Sequence, residues 1–286
     1  MTNPVFNNTA VFRDPRTSRR GQRGAAGVQP PYYGPAPTAG YDTATLDAMY
    51  GAPSATTAQT GRLTYDDVIV KTSGLLAVVV ATAAFAWFVV PDTLRMPVAM
   101  VGALVGFVLG LVNSFKSSPS PALIVLYAAA EGLFLGGFSW YIEVALNLPG
   151  IVIQAVLATM ATFAACLMLF RSGRVRVTPK FTRWLLVAMV GYLLFSLLNF
   201  GLAMFDVGGD GMFGPLRSGG LGLLVGLLAV GLAAAMLIVD FDSVKRGVEG
   251  GVPARFAWTA AFGLIVTLVW MYLEFLRLIA ILRGSD

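Results

Sequence analysis

Five ionisable side chains lie inside stretches of the chain that are otherwise apolar. Glu131 sits in YAAAEGLFLGG, Asp240 and Asp242 in MLIVDFDSVKRG, and Glu274 with Arg277 in WMYLEFLRLI. A carboxylate at membrane depth is expensive. It normally faces a protein interior or a water-filled cavity, where it moves protons or ions. Glu274 and Arg277 are three residues apart, so on a helix they share a face and can pair with each other. Alternatively, Glu274 faces Asp240 or Asp242 across two neighbouring helices. Two carboxylates at short range cannot both ionise cheaply, so such a pair holds a proton. Losing that proton leaves two repelling charges that part the helices or attract a cation. Calcium, a hard ion that takes oxygen ligands, suits such a site. Asp240 and Asp242 also have a plainer reading, as residues near a helix end balanced by Lys245 and Arg246. Glu131 can bond to a hydroxyl or amide on a neighbouring helix, with Ser139, Ser196 and Asn199 as candidates.

Other chemistry is excluded by residue type. The chain has no histidine. That removes Ser-His and Cys-His catalysis, His-ligated zinc or haem, and a histidine pH switch. Two-aspartate protease chemistry is the one enzymatic route left, and Asp240 or Asp242 with Glu274 matches it poorly. The chain is therefore expected not to be an enzyme, and no metal or organic cofactor is expected. Lys71, Lys116, Lys180 and Lys245 all fall outside span interiors, so no Schiff-base lysine for a retinal is available. The lone cysteine, Cys166, can form no intrachain disulfide.

The elements that must hold these side chains follow from composition. The 286 residues are 57% hydrophobic and 12% charged, with mean hydropathy +0.74, where a soluble domain has roughly a quarter of its residues charged. This is an all-α membrane protein. Apolar stretches near the ~20 residues that span ~30 Å of hydrocarbon run at about 73–90, 96–115, 121–145, 150–170, 182–204, 219–241 and 257–282. The breaks between them carry turn residues, including the stretch from Pro91 to Pro97 and that from Lys245 to Pro253. The last stretch is expected at the centre of the bundle.

Residues 1–62 form a Pro-, Gly- and Tyr-rich tail with too little clustered apolar surface to fold alone, and 63–286 the helical domain. No apolar core of a signal peptide precedes the domain. The tail is a tether or a partner-binding arm, carried by the Arg13–Arg23 cluster, Tyr32 and Tyr33. Thr64 and Asp67 have capping-box spacing and mark a helix start.

With the N-terminus cytoplasmic, the inner segments hold Arg62, Lys71, Lys116, Arg171, Arg174, Arg176, Lys180, Arg183, Lys245, Arg246 and Arg255. The outer ones hold Arg95, Arg217 and Arg283. The positive-inside rule then favours a cytoplasmic N-terminus in the cell membrane. It also accounts for the net charge of +5 without a nucleic-acid partner. Gly102, Gly106 and Gly110, then Gly132 and Gly136, then Gly222 and Gly226 repeat every four residues, a spacing that lets membrane helices approach closely.

The segments YAAAEGLFLGGFSWYIE, DFDS and WMYLEFLRLI, in that order, resemble the Bax inhibitor one-like, or transmembrane Bax inhibitor motif, family. The stretch TYDDVIVKTSGLL looks like bacterial, and in particular actinobacterial, members. The resemblance covers about 64–282. It implies seven helices with the last one wrapped by six others in antiparallel pairs. It also implies a pH-sensitive calcium leak gated by an acidic pair on the sixth and seventh helices, matched here by Asp242 and Glu274, with Glu131 matching a third-helix glutamate. Three departures stand out. Glu274 replaces an aspartate, the Asp242-to-Glu274 separation is several residues longer, and the arginine that some relatives carry beyond the glutamate is missing at WYIEVAL, where Arg277 is a candidate substitute. Expected partners are the lipid bilayer, calcium ions or protons, and membrane proteins met through the tail. The alternative function is a non-transporting regulator that binds other membrane proteins.

Overall fold

The computed structural model describes residues 61–173, 177–205 and 213–284. Apart from residues 61 and 62, the expected tail lies outside them, as do Arg174, Arg176, Asp206 and Asp210. Among the described residues, seven helices are long and apolar enough to cross a membrane. They are α1 (Tyr65–Phe88), α2 (Asp92–Phe115), α3 (Pro121–Trp140), α4 (Ile151–Arg171), α5 (Pro179–Met204), α6 (Gly219–Glu249) and α7 (Ala257–Leu282). A π-helical turn, Tyr141–Ala145, extends α3, and a 3-10 turn, Ala254–Phe256, leads into α7.

The first helix starts where its capping box sits. Thr64 Oγ1 accepts from the Asp67 amide at 3.0 Å, and the Thr64 amide donates to Asp67 Oδ2 at 3.2 Å. Each bond satisfies a donor that the first helical turn leaves orphaned. Thr64→Ala should therefore cost about 1 kcal/mol of stability, read as a lower unfolding midpoint on titration with SDS.

Two helix boundaries differ from expectation. Pro97 does not break the chain but lies inside α2, past the first turn, where its missing amide removes one i→i−4 bond, to the Thr93 carbonyl. The sixth helix runs on from 241 to Glu249. Its polar last two turns carry i,i+4 pairs, Arg246 with Asp242 at 2.7 Å and Lys245 with Glu249 at 3.9 Å, which support helix beyond the apolar stretch.

Close packing follows the glycines. A Cβ on Gly136 would come within 3 Å of the Ala83 backbone in α1. One on Gly137 would meet Ala99 Cβ of α2 at 2.8 Å, and one on Gly102 would meet the Ala130 carbonyl of α3 at 2.8 Å. The third helix is thus clasped by α1 on one side and α2 on the other. The seventh packs on α6, α4, α1 and α3 and has the most buried residues of any helix. It is central, as expected. The wrapping is less even than six helices in pairs, because α2 packs mainly on α3 and α5 mainly on α6.

Short connections make successive helices antiparallel, which defines two ends of the bundle. At the near face, residues 61–63 pair with the α6–α7 connection, Leu63 N donating to Val252 O at 2.7 Å and Ala254 N to Gly61 O at 2.8 Å. At the far face, Arg283 Nη1 donates to Pro149 O at 2.8 Å.

Candidate functional site

The polar groups of the interior gather along the seam between α6 and α7 and fall into two stations. The first is built around Glu274. It and Arg277 are each only 4% exposed, and being three residues apart they pair along α7. Two further donors close on the carboxylate. The Trp270 indole Nε1, one turn earlier, reaches Oε1 at 3.1 Å, and the Tyr192 hydroxyl arrives from α5. Tyr192 and Trp270 rings lie side by side at 5.6 Å, so α5 is docked against α7 at this point by aromatic packing as well as by the bond.

The far-face connection between α5 and α6 adds a second cation. Arg217 Nη2 donates to the Tyr192 hydroxyl oxygen at 2.6 Å and to Ser196 Oγ. Its guanidinium stacks over the Tyr192 ring at 5.1 Å and the Phe195 ring at 6.0 Å. This loop is held by Asn199, whose amide nitrogen donates to Phe213 O at 2.8 Å and whose oxygen accepts from Leu216 N at 3.0 Å. Gly214, at φ +88°, lies so close to that amide that a Cβ would strike it at 2.5 Å. The positive φ and the lack of room both require glycine there.

The second station is Asp240. Thr267 Oγ1 of α7 lies 2.7 Å from its Oδ2 and 3.2 Å from the Gly263 carbonyl. One hydroxyl hydrogen faces two acceptors. With Asp240 ionised, Thr267 donates to it. With Asp240 protonated, the acid can donate to Thr267, which then donates to Gly263. Among the described residues no cation pairs with Asp240. Beyond it, Asp242 pairs with Arg246, which is largely exposed at the near face.

This arrangement does not join Asp242 to Glu274. Asp240 meets Thr267, seven residues before Glu274, a helical rise of ~10 Å. Asp242 lies about two residues further toward the near face. The expected proton-sharing pair is therefore replaced by two separate sets of partners, and the reason is register: two straight antiparallel helices put those positions more than two turns apart. Between the stations the seam is apolar, with Leu237 of α6 and Leu268 and Met271 of α7 all buried in one cluster.

Glu131 stands apart, between α3 and α2. Its carboxylate lies over Gly106, where a Cβ would be 2.8 Å from Oε1, and Tyr127 interacts with it from one turn earlier. The three hydroxyl or amide partners expected for it are used elsewhere. Ser139 bonds the Tyr272 hydroxyl at 2.7 Å, Ser196 donates to Tyr192 O at 2.8 Å, and Asn199 holds the loop. Glu143, in the π-helical turn, accepts from the Val152 amide at 3.0 Å and so caps α4. An apolar groove of about 510 Å³ between α1, α3, α4 and α7 is lined by Trp87, Val152 and Tyr272 among others, and by neither Asp240 nor Glu274.

Tyr192, Trp270 and Arg217 are the site residues that sequence reasoning missed. One signal was present. Tyr192, Ser196 and Asn199 are spaced by four and three on an otherwise apolar α5, which places three polar groups on one helical face. No comparable signal marked Arg217, which reads as an ordinary loop charge.

Comparison with family models gives a match to the family described as Bax inhibitor 1 like over residues 3–284. The match takes in the N-terminal segment as well as the helices. No curated protein matches the chain.

Proposed function

The chain belongs to the Bax inhibitor 1 like family, and from that premise we propose that it is a pH-sensitive ion leak, with calcium as the conducted ion and the α6–α7 seam as its path. The observation that carries this reading is the pair of ionisable stations on one seam, Asp240 toward the near face and Glu274 toward the far face, divided by apolar packing. A bundle in this arrangement is closed. Asp240, the Thr267 hydroxyl and the Gly263 carbonyl offer oxygen ligands of the kind calcium takes. Glu274, clamped by Arg277, is the gate. The reading places the protein in the cell membrane with its N-terminus cytoplasmic, following the positive-inside bias, and assigns it no enzymatic step.

The sign of the pH effect follows from the partner. A carboxylate facing a carboxylate is held by a shared proton and released by its loss. A carboxylate facing an arginine is held while ionised and released by protonation. Glu274 also receives Tyr192 of α5, so acid should weaken that docking of α5 on α7 together with the Arg277 pair, and open the bundle at the far end of the seam. In liposomes loaded with a calcium dye, entry should rise as the medium is acidified. Glu274→Gln should leak at pH 7.5 by roughly tenfold more than the parent protein, which is what about 1.4 kcal/mol on the closed-open equilibrium would give. Asp240→Asn should reduce flux at every pH, and Asp242→Asn, at the exposed near face, should have the smaller effect. Folded protein that passes no ion at any pH would sink the leak and leave a membrane regulator, whose partners a pull-down with and without residues 1–62 would then seek.

A further inference from the structure

Among the described residues, the far-face station is short of negative charge. Glu274 supplies one anion, while Arg277 and Arg217 supply two cations. Tyr192 and Ser196 do not correct the difference. The Tyr192 hydrogen is committed to Glu274 and the Ser196 hydrogen to the Tyr192 carbonyl, so each meets Arg217 only as a neutral acceptor. No other titratable group comes from α6 between Gly219 and Asp240, or from α5 between Arg183 and Met204 apart from Tyr192. Burial lowers the Arg217 guanidinium from its ordinary value, and the nearby Arg277 charge adds to that.

Hydrogen bonding gives the same answer independently of charge. Among the described residues, Arg277 Nε and Nη1 and Arg217 Nε are buried without an acceptor, although Arg277 is only 4% exposed. Arginine has five N–H donors and no way to lose its charge, and stranded buried donors are costly. The Arg277 guanidinium lies beside Gly226 of α6, where a Cβ would be 3.6 Å from Nη2, the nitrogen that bonds Glu274. Arg217, on the far-face connection, is only half-buried among the described residues, which makes that side the approach to the cluster.

We infer that Arg277 and Arg217 form a binding site for a small monovalent anion of the chloride class, entered from the far face beside Tyr192 and Ser196. A single negative charge balances the deficit of one, and a small ion can use the guanidinium edges that face no acceptor. A divalent anion would overcompensate in a confined site. The inference is independent of whether the seam conducts, and its readout below involves no flux.

The test uses the full chain in nanodiscs at neutral pH. Thermal unfolding is followed while sodium chloride replaces sodium gluconate at constant ionic strength. Chloride should raise Tm saturably, by about 3 °C once the site is filled, and bromide should do the same. Arg217→Gln, a change on the connection rather than in the core, should abolish the rise. Glu274→Gln removes the competing internal anion, so its half-saturating chloride concentration should fall by at least about tenfold. Asp206→Asn with Asp210→Asn should respond as the parent does. Equal Tm in chloride and gluconate overturns the site, as does a full response in Arg217→Gln. A response that emerges only when Asp206 and Asp210 are neutralised overturns it too, since the chain's own carboxylates would then be the occupant.

Discussion

Arg277→Leu is expected to lower stability by about 3–5 kcal/mol, the usual result of removing one partner of a buried ion pair. The cost is not the worth of the bond. A buried salt bridge gains little over a well-packed apolar pair, because both ions lose their hydration. What the variant suffers is a stranded carboxylate. Glu274 would keep its bonds from Tyr192 and Trp270 but would have lost the adjoining cation on α7, in a site only 4% exposed. The deficit should shrink on acidification, since a protonated Glu274 carries no charge to compensate.

A double-variant cycle separates this from loss of packing. Arg277→Leu with Glu274→Gln should recover most of the stability that Arg277→Leu loses, because no buried carboxylate is left without its α7 partner and the one cation that remains, Arg217, is only half-buried. Unfolding in mixed micelles by SDS, followed by tryptophan fluorescence, would report both. Trp270 donates directly to Glu274, so its emission should also shift when the pair is disturbed. A double variant no more stable than the single one would mean that Arg277 matters for its bulk, and the gate assigned to this pair would lose its physical basis.

The pairing of Glu274 with Arg277 could be read from the sequence because it is local. Two residues three apart on a helix meet whatever the rest of the chain does. The Thr64 capping box and the glycine faces of α2, α3 and α6 are legible for the same reason, since each depends on spacing within one element. The Asp242–Glu274 pair failed as an expectation at the point where spacing stops being sufficient. Whether two helices bring given residues together depends on their axial register, and here Asp240 is matched to Thr267. Apolar stretches end near the membrane surface, but helices need not. The polar turns of α6 up to Glu249 are supported by charge pairs that a hydropathy reading treats as loop. Arg217 was the least legible of all. Its inward course depends on Asn199 gripping a loop across 14 residues, and on Gly214 adopting a conformation that the sequence alone only permits.

The strongest single dependence on packing should be at Gly136. Between membrane helices, lipid is as apolar as the side chains, so association relies on close contact rather than on a drive to leave water. At this position α1 and α3 approach until a Cβ would lie 2.8 Å from the Ala83 Cα and 2.9 Å from its carbonyl carbon. Those are backbone atoms, which cannot swing aside as the tip of a flexible chain would. Gly136→Ala should therefore cost about 1–3 kcal/mol, the range for overpacking a tight interior. Gly136→Leu, which must push the two helices apart along several turns, should leave little folded protein. Gly191→Ala is the matched control, because nothing lies within 4 Å of a Cβ there, and alanine is the better helix former. It should change stability by less than about 1 kcal/mol. The consequence reaches the functional seam. The first and third helices both pack on α7, and Ser139, three residues from Gly136, holds Tyr272, two residues from Glu274. A Gly136→Ala protein that remains folded should therefore also show a disturbed Trp270 environment by fluorescence. An unchanged midpoint would mean that α1 and α3 can separate freely, and that the close glycine contact contributes nothing to holding the bundle shut.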